Sequence, residues 1–163
     1  MIDKDDPCFV FYYQLDGKGG IEANEEDGVG TWAHIDYSHP SAVTWLAEAG
    51  LDEQIVEALT RSNTRPRSVH FESGELLVLR GVNLNPGSDP EDMVSLRMWI
   101  EKDRIISVRQ RKLMAVQNLR EELEAGKGPT SLADVVEAIV ERLANRVSEF
   151  VRSEEHTSEL QSP

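Results

Sequence analysis

The chain has 163 residues, a net charge of −13 and a hydrophobic content of 39%, with three tryptophans. This length and hydrophobic content predict one folded domain with a single hydrophobic core, and they exclude a disordered chain. The strong negative charge disfavours binding to nucleic acid or to anionic lipid surfaces, and it favours the accumulation of cations.

Cysteine usage and the N-terminal segment bear on the compartment. Cys8 is the only cysteine, so no internal disulfide can form and we expect a reducing compartment. The first residues, MIDKDDPCFVFYY, have no basic region followed by a long apolar stretch, so no secretory signal is predicted. No window holds the roughly 18–20 apolar residues that span a bilayer, so we expect these residues to be soluble.

The first part of the chain predicts two strands and two helices. Residues 8–15 (CFVFYYQL) favour a strand that ends at the glycine turn 16–20. Residues 31–37 (TWAHIDY) alternate in character and predict a second strand. Ser38 is predicted to cap a helix that ends at Gly50, and residues 52–59 predict a second short helix.

The middle of the chain predicts a run of strands. Residues 67–72 and 75–84 form a predicted hairpin around Ser73-Gly74, and the apolar run 76–79 is typical of a strand covered on both faces. Further strands are predicted at 93–100 and from 105. This order of elements predicts an α/β fold, a mixed sheet with helices packed on it.

Two helices and an unusual tail complete the chain. Residues 113–125 predict a helix stopped by Gly126-Lys127-Gly128, and a long amphipathic helix begins after Pro129 with Ser131 as its cap. We expect that helix to continue past Val151 in an intact protein. Residues 152–162 (RSEEHTSELQS) resemble a translated sequencing adapter. We therefore expect a domain at 1–151, truncated in its final helix, and a non-native tail at 152–163.

Catalytic and metal-binding patterns are weak. The histidines are His34, His39, His70 and His156, and a zinc cluster of Cys8, His34 and His39 is disfavoured because the two histidines flank a strand-to-helix junction. There is no G-x-S-x-G and no P-loop, and the glycines at 17–20 predict a flexible turn. We expect no enzymatic activity, no catalytic residue and no cofactor, and the sequence assigns no metal-binding residue.

Three arginines lie inside predicted strands. Arg80, Arg97 and Arg109 are each flanked by apolar residues (VLRGV, SLRMW, SVRQR). A guanidinium near a sheet needs a carboxylate, a carbonyl or a bound anion, because it stays protonated. One interpretation is an anion pocket on adjacent strands. The interpretation we favour is internal pairing, with partners such as Glu72, Glu91, Asp92 or Glu101.

Several segments resemble a known family in their order and spacing. They are TRPR at 64–67, VLRGVNLNPG at 78–87, PEDMVSLRMW at 90–99, SVR at 107–109 and GKGP at 126–129. Together they resemble the soluble part of zinc transporters in the CorA metal-ion transporter family, over residues 8–151.

The resemblance implies that the fold is an α/β/α sandwich with a central mixed sheet. It also implies a cytoplasmic N-terminal domain of a divalent cation transporter, most simply for zinc, in a bacterial inner membrane. It implies that five subunits form a funnel which gates or feeds a pore, with long helices leading to a membrane region absent from this sequence. The family's pore motif is a Gly-x-Asn triplet near the first membrane span, and no such motif beside a span is predicted here; the triplet Gly81-Val82-Asn83 lies within the predicted strand 75–84. Implied partners are further copies of the chain, divalent cations and the membrane, with no nucleic acid. The alternative is a freestanding soluble ligand-binding or regulatory module of the same fold.

Overall fold

A six-stranded mixed sheet forms the centre of the computed structural model, which describes residues 6–23, 28–60, 67–81 and 94–143. The strand order is β1-β2-β6-β5-β4-β3. β2 and β6 run parallel and all other neighbours are antiparallel. The strands are β1 (Phe9–Leu15), β2 (Gly30–Asp36), β3 (Arg67–Phe71), β4 (Gly74–Gly81), β5 (Val94–Ile100) and β6 (Arg104–Arg109).

Helices cover both faces of this sheet. The core on one face is formed with α1 (Ser41–Glu48) and α2 (Glu53–Thr60), and the core on the other with α3 (Met114–Glu124) and α4 (residues 132–143). The predicted α/β/α sandwich with a central mixed sheet is therefore confirmed. Successive side chains of a strand point to opposite faces, so each central strand contributes to both cores.

Strand β4 shows why the middle of the sequence is so apolar. Leu76 and Val78 are buried in the α1–α2 core, whereas Leu77 and Leu79 pack against the α3–α4 core. The unbroken apolar run thus satisfies two cores at once, as predicted for a strand covered on both faces.

The predicted cap of α1 is wrong. The helix begins at Ser41 with Pro40 at the N-cap position, and no side chain there makes a capping hydrogen bond. Ser38 instead donates its hydroxyl to Asp36 Oδ1 at 2.7 Å, and its backbone N–H donates to the same oxygen at 2.9 Å. The Asp36 carboxylate holds Ser38 in a turn, which competes with a capping role for that hydroxyl.

The predicted start of the last helix is confirmed. Ser131 Oγ accepts a hydrogen bond from the backbone N–H of Asp134 at 3.1 Å, the geometry of an N-cap. Gly126 follows α3 with φ +75°, a conformation that glycine adopts without strain. The predicted end of β4 at 84, the continuation of the last helix past Val151 and the tail at 152–163 lie outside the described residues.

Candidate functional site

A buried polar chain crosses the parallel β2–β6 pair on the α3 side of the sheet. Trp32 Nε1 donates to Ser107 Oγ at 2.8 Å, and that oxygen lies 2.7 Å from Nδ1 of His34. An indole N–H can only donate, so Ser107 Oγ accepts it, and the Ser107 proton has two acceptors in reach, His34 Nδ1 at 2.7 Å and the Ala33 carbonyl oxygen at 3.5 Å. With Ser107 donating over the shorter of the two contacts, the ring proton of His34 is assigned to Nε2.

His34 is held neutral in this network. It is fully buried and stacks on Phe11, with ring centroids 5.2 Å apart. Burial lowers the pKa of His34 to about 3, and the charges of Arg109 and Arg120 lower it further in the same direction. Its Nε2 has no hydrogen-bond partner among the described residues. Zinc needs three or four convergent ligands, and His34 belongs to no group of three or more His, Cys, Asp or Glu side chains among the described residues.

The other members of the disfavoured zinc cluster lie elsewhere. Cys8 is buried in the α1–α2 core, on the opposite side of the sheet from His34, and burial followed by the Asp6 carboxylate raises its pKa to about 11. His39 is half-buried in the turn before α1. Within residues 6–23, 28–60, 67–81 and 94–143, no group of three or more His, Cys, Asp or Glu side chains could hold a metal ion.

The three strand arginines do not share a pocket. Arg97 is buried on the α2 side, where its Nη1 donates to the carbonyl oxygen of Leu59 at 3.1 Å. Arg109 lies on the α3 side, with Nη2 3.8 Å from Asp36 Oδ2. Arg80 is exposed on β4. The anion-pocket interpretation therefore has no geometric basis in the described part of the chain.

Arg97 and Arg109 pair internally, as the favoured interpretation predicts, but their partners are not the predicted ones. Burial lowers the pKa of both Arg97 and Arg109. Among the described residues, Arg97 donates to a helix carbonyl oxygen and Arg109 forms an ion pair with Asp36. The predicted partner Glu101 is paired with Arg104 instead, at 2.9 Å. Glu72 is exposed at the β3–β4 turn, and Glu91 and Asp92 lie outside the described residues. Arg97 and Arg109 are structural features of the two sides of the sheet, whereas Arg80 is exposed.

An open cleft of about 660 Å³ lies where the β3–β4 and β5–β6 turns meet the α1–α2 loop. Asp52, Glu72 and Glu101 contribute carboxylates to its lining, and Arg104 contributes one cation. Burial would raise the pKa of Glu101, but hydrogen bonds from Arg104 and Trp99 outweigh it and lower that pKa. The cleft therefore carries an excess of negative charge.

Further acidic side chains are spread over both helical layers. Exposed carboxylates lie on α1, α2, α3 and α4: Glu48, Glu53, Glu57, Glu121, Glu124, Asp134, Glu137 and Glu141. Their summed field raises the local concentration of cations, an effect that salt screens over about 8 Å at physiological ionic strength. The surface can concentrate cations without a dedicated binding site.

The sequence did not reveal the polar chain of Trp32, Ser107 and His34. Its members are up to 75 positions apart, and only the β2–β6 pairing brings them together. The alternation of residues 31–37 did place Trp32 and His34 on one face of a strand, but it gave no indication that Ser107 lies beside them.

Comparison with known proteins identifies relatives of this chain. The family described as CorA-like Mg2+ transporter protein matches residues 27–162. The chain is 41% identical over 160 residues to the divalent cation transporter CmaX of Pseudomonas aeruginosa, covering 90% of this chain and 48% of CmaX. It is 34% identical over 148 residues to the zinc transport protein ZntB of Yersinia enterocolitica, covering 87% of this chain and 45% of that protein.

A solved structure of a relative has the same fold as this chain. The crystal structure of the ZntB cytoplasmic domain from Vibrio parahaemolyticus superposes with a TM-score of 0.82 at 25% identity, covering 91% of this chain and 63% of that one. This chain spans about half the length of the curated relatives it matches. None of its described helices is long and apolar enough to cross a membrane. On the family match and these identities, the chain belongs to the CorA-like transporter family.

Proposed function

We propose that this chain is the cytoplasmic domain of a divalent cation transporter of a bacterial inner membrane, with zinc as the transported ion. The observation that carries the proposal is its 34–41% identity to ZntB and CmaX over 87–90% of its length. Identity at this level along a whole domain supports a shared role as well as a shared fold. The role is transport, not catalysis.

The charge of the domain supports a part in supplying ions. Carboxylates exposed on all four helices and in the cleft raise the cation concentration near the protein. In a pentameric funnel, such a surface would feed cations to the pore or would bias subunit packing and gating. A change in ion occupancy shifts that equilibrium only if the ion binds the two states with different affinities.

Flux through the complete protein tests the proposal. The full-length transporter is reconstituted in proteoliposomes, and uptake of radioactive zinc is compared with uptake of magnesium, cobalt and nickel. We expect zinc uptake above that of protein-free vesicles. Magnesium uptake without zinc uptake would replace the ion and keep the transporter. A complete protein without apolar spans, or without flux of any divalent cation, would contradict the proposal.

A second experiment tests the supply of ions by surface charge. A variant with Glu48→Gln, Asp52→Asn and Glu53→Gln removes three exposed charges around the α1–α2 loop. We expect several-fold slower initial uptake at low ionic strength and little difference at high salt, because screening removes the field. The exposed neutral residue Gln54, changed to Ala, is the control. Equal rates for all three proteins at low salt would exclude this role for the region.

A further inference from the structure

Two glycine-containing turns contact each other at one end of the sheet, and we call this contact the glycine clasp. Its first part is the β1–β2 turn at residues 16–20, and its second is the α3–α4 turn at residues 126–130. The backbone N–H of Gly128 donates to the carbonyl oxygen of Gly19 at 2.7 Å. The clasp therefore joins the sheet edge directly to the start of α4.

The contact leaves no room for a side chain. Gly19 has φ +98°, and a Cβ there would lie 3.0 Å from the carbonyl oxygens of both Gly126 and Gly128. These are backbone atoms, which cannot rotate away as a flexible side chain could. A Cβ on Gly20 would lie 3.5 Å from the Cα of Gly126. Only glycine at position 19 permits both the backbone conformation and the close approach.

The β1–β2 turn also has hydrogen bonds of its own. Asp16 Oδ1 accepts hydrogen bonds from the backbone N–H groups of Lys18 at 2.6 Å and Gly20 at 2.9 Å, and the N–H of Asp16 donates to the carbonyl of Gly20 at 3.0 Å. The bonds from Gly20 and Lys18 lower the pKa of Asp16, so its carboxylate stays charged at neutral pH. The segment predicted as a flexible turn is thus held by its own hydrogen bonds where it contacts the α3–α4 turn.

Helix α4 is also held beyond the clasp. Leu132, its first residue, lies so close to β2 that a Cβ on Gly30 would come within 2.5 Å of Leu132 Cδ1. Further along, Arg142 Nη2 donates to Glu122 Oε2 of α3 at 2.6 Å. Contacts at both ends of the described helix fix its direction as well as its starting point.

We propose that the glycine clasp makes the α3–α4 turn a rigid joint, with Gly19 and Gly128 as positioning residues for α4. A Gly-Lys-Gly-Pro segment between two helices would otherwise be expected to act as a hinge. With the clasp closed, a displacement of the sheet moves α4 as one body with it. The consequence for transport rests on the proposed function, whereas the rigidity of the joint does not.

A distance measurement on the full chain tests the joint. Spin labels are attached after Lys102→Cys in the β5–β6 turn and Glu137→Cys on α4, two exposed positions, with the buried Cys8 changed to Ser. Double electron–electron resonance should give a single narrow distance maximum. With Gly19→Ala we expect that single maximum to be lost. An initially broad distribution, or one unchanged by Gly19→Ala, would overturn the proposal.

Gly50 provides a matched control. It also has a positive φ, +83°, but a Cβ there would meet nothing within 4 Å, and it lies after α1, outside the clasp. Gly50→Ala therefore imposes a comparable backbone strain and should leave the narrow maximum intact. If Gly19→Ala prevents folding, Asp16→Ala removes the two hydrogen bonds that the Asp16 carboxylate accepts, without a steric clash, and the same broadening is expected of it.

Measurements of zinc uptake distinguish a failure of the clasp proposal from a failure of the proposed function. In the reconstituted full-length transporter, Gly19→Ala should reduce zinc uptake by about fivefold or more, the size of a typical coupling between sites, and Gly50→Ala should not. Uptake that Gly19→Ala leaves unchanged would overturn the coupling of the clasp to transport. Absence of uptake by the unmodified protein would contradict the proposed function, while the distance distribution would still decide whether the joint is rigid.

Discussion

Ser107 Oγ lies 2.7 Å from His34 Nδ1 across the parallel β2–β6 pair, and both residues are fully buried. Ser107 also accepts the indole N–H of Trp32 at 2.8 Å. One hydroxyl therefore satisfies two buried ring nitrogens, so its removal leaves both without their partner.

Ser107→Ala should lower the free energy of unfolding by about 1–3 kcal/mol, the usual cost of leaving buried polar groups unpaired. The measurement is urea-induced unfolding followed by circular dichroism. Ser68→Ala, at an exposed position on β3, is the control and should change stability by no more than about 0.5 kcal/mol. Equal effects of the two substitutions would contradict the proposed hydrogen-bond chain.

His34 should make the folded state sensitive to acid. Its pKa of about 3 in the folded state lies below its ordinary value of 6.5, so the unfolded chain binds the proton more readily. The contribution to stability is complete above pH 6.5 and is lost progressively as the pH falls towards 3. His34→Gln, which carries no titrating group, should flatten the pH dependence of unfolding between pH 7 and 5 relative to the wild type.

The control for that titration is His70→Gln, a substitution of an exposed histidine on β3. Unfolding free energies at several pH values are compared for the three proteins, so that carboxylate titration cancels in the differences. A wild-type slope indistinguishable from that of His34→Gln would show that the His34 ring is not held neutral by its surroundings.

Arg97 allows the effect of its charge to be separated from that of its packing. The guanidinium is buried, and among the described residues its Nε has no partner and its Nη1 donates to the Leu59 carbonyl oxygen. Arg97→Met keeps the volume and removes the buried charge, so stability should change by less than about 1.5 kcal/mol. Arg97→Ala also removes the packing and should cost about 2–5 kcal/mol.

Thermal and urea unfolding of the two Arg97 variants provide the measurement. A loss as large for Arg97→Met as for Arg97→Ala would show that the charge itself is needed, for example to bind an anion. That outcome would revive the anion-pocket interpretation of the strand arginines.

Glu101 joins the β5–β6 turn to the sheet. Its carboxylate accepts hydrogen bonds from Trp99 Nε1 at 2.6 Å and from Arg104 Nε and Nη2 at 3.0 and 2.9 Å. Glu101→Gln should lower the free energy of unfolding by about 1–3 kcal/mol, because all three hydrogen bonds lose their charged acceptor. Glu72→Gln, in the same cleft but exposed, is the control.

The folded-state pKa values of Glu101 and His34 are both lowered, but for different reasons. Burial favours the neutral form of His34, whereas hydrogen bonds favour the charged form of Glu101. Its folded-state pKa is lowered from 4.5, so its contribution is present above pH 4.5 and is lost as the pH falls through the lowered value. Glu101→Gln should therefore converge on the wild type in stability below that pH. A constant difference in stability from pH 7 to pH 3 would show that the charge of Glu101 contributes nothing.

The sequence alone determined the fold class and most element positions. Alternation in residues 31–37, the apolar run 76–79 and the Ser131 cap all report local periodicity or local hydrogen bonding, and each agrees with β2, β4 and α4. Such signals depend on neighbours a few residues apart. The prediction failed at Ser38. Its hydroxyl could cap α1 or donate to the nearby Asp36 carboxylate, and in the structure it donates to Asp36.

Only the tertiary structure decided which distant residues meet. The parallel pairing of β2 with β6 brings Trp32 and His34 to Ser107, and the packing of α3 and α4 brings Gly128 to Gly19. It also places Arg97 and Arg109 on opposite faces, which separates residues whose sequence surroundings look alike. Periodicity fixes which face of a strand is buried, but not which partner covers it, because that depends on strand order and on contacts between segments far apart in the chain.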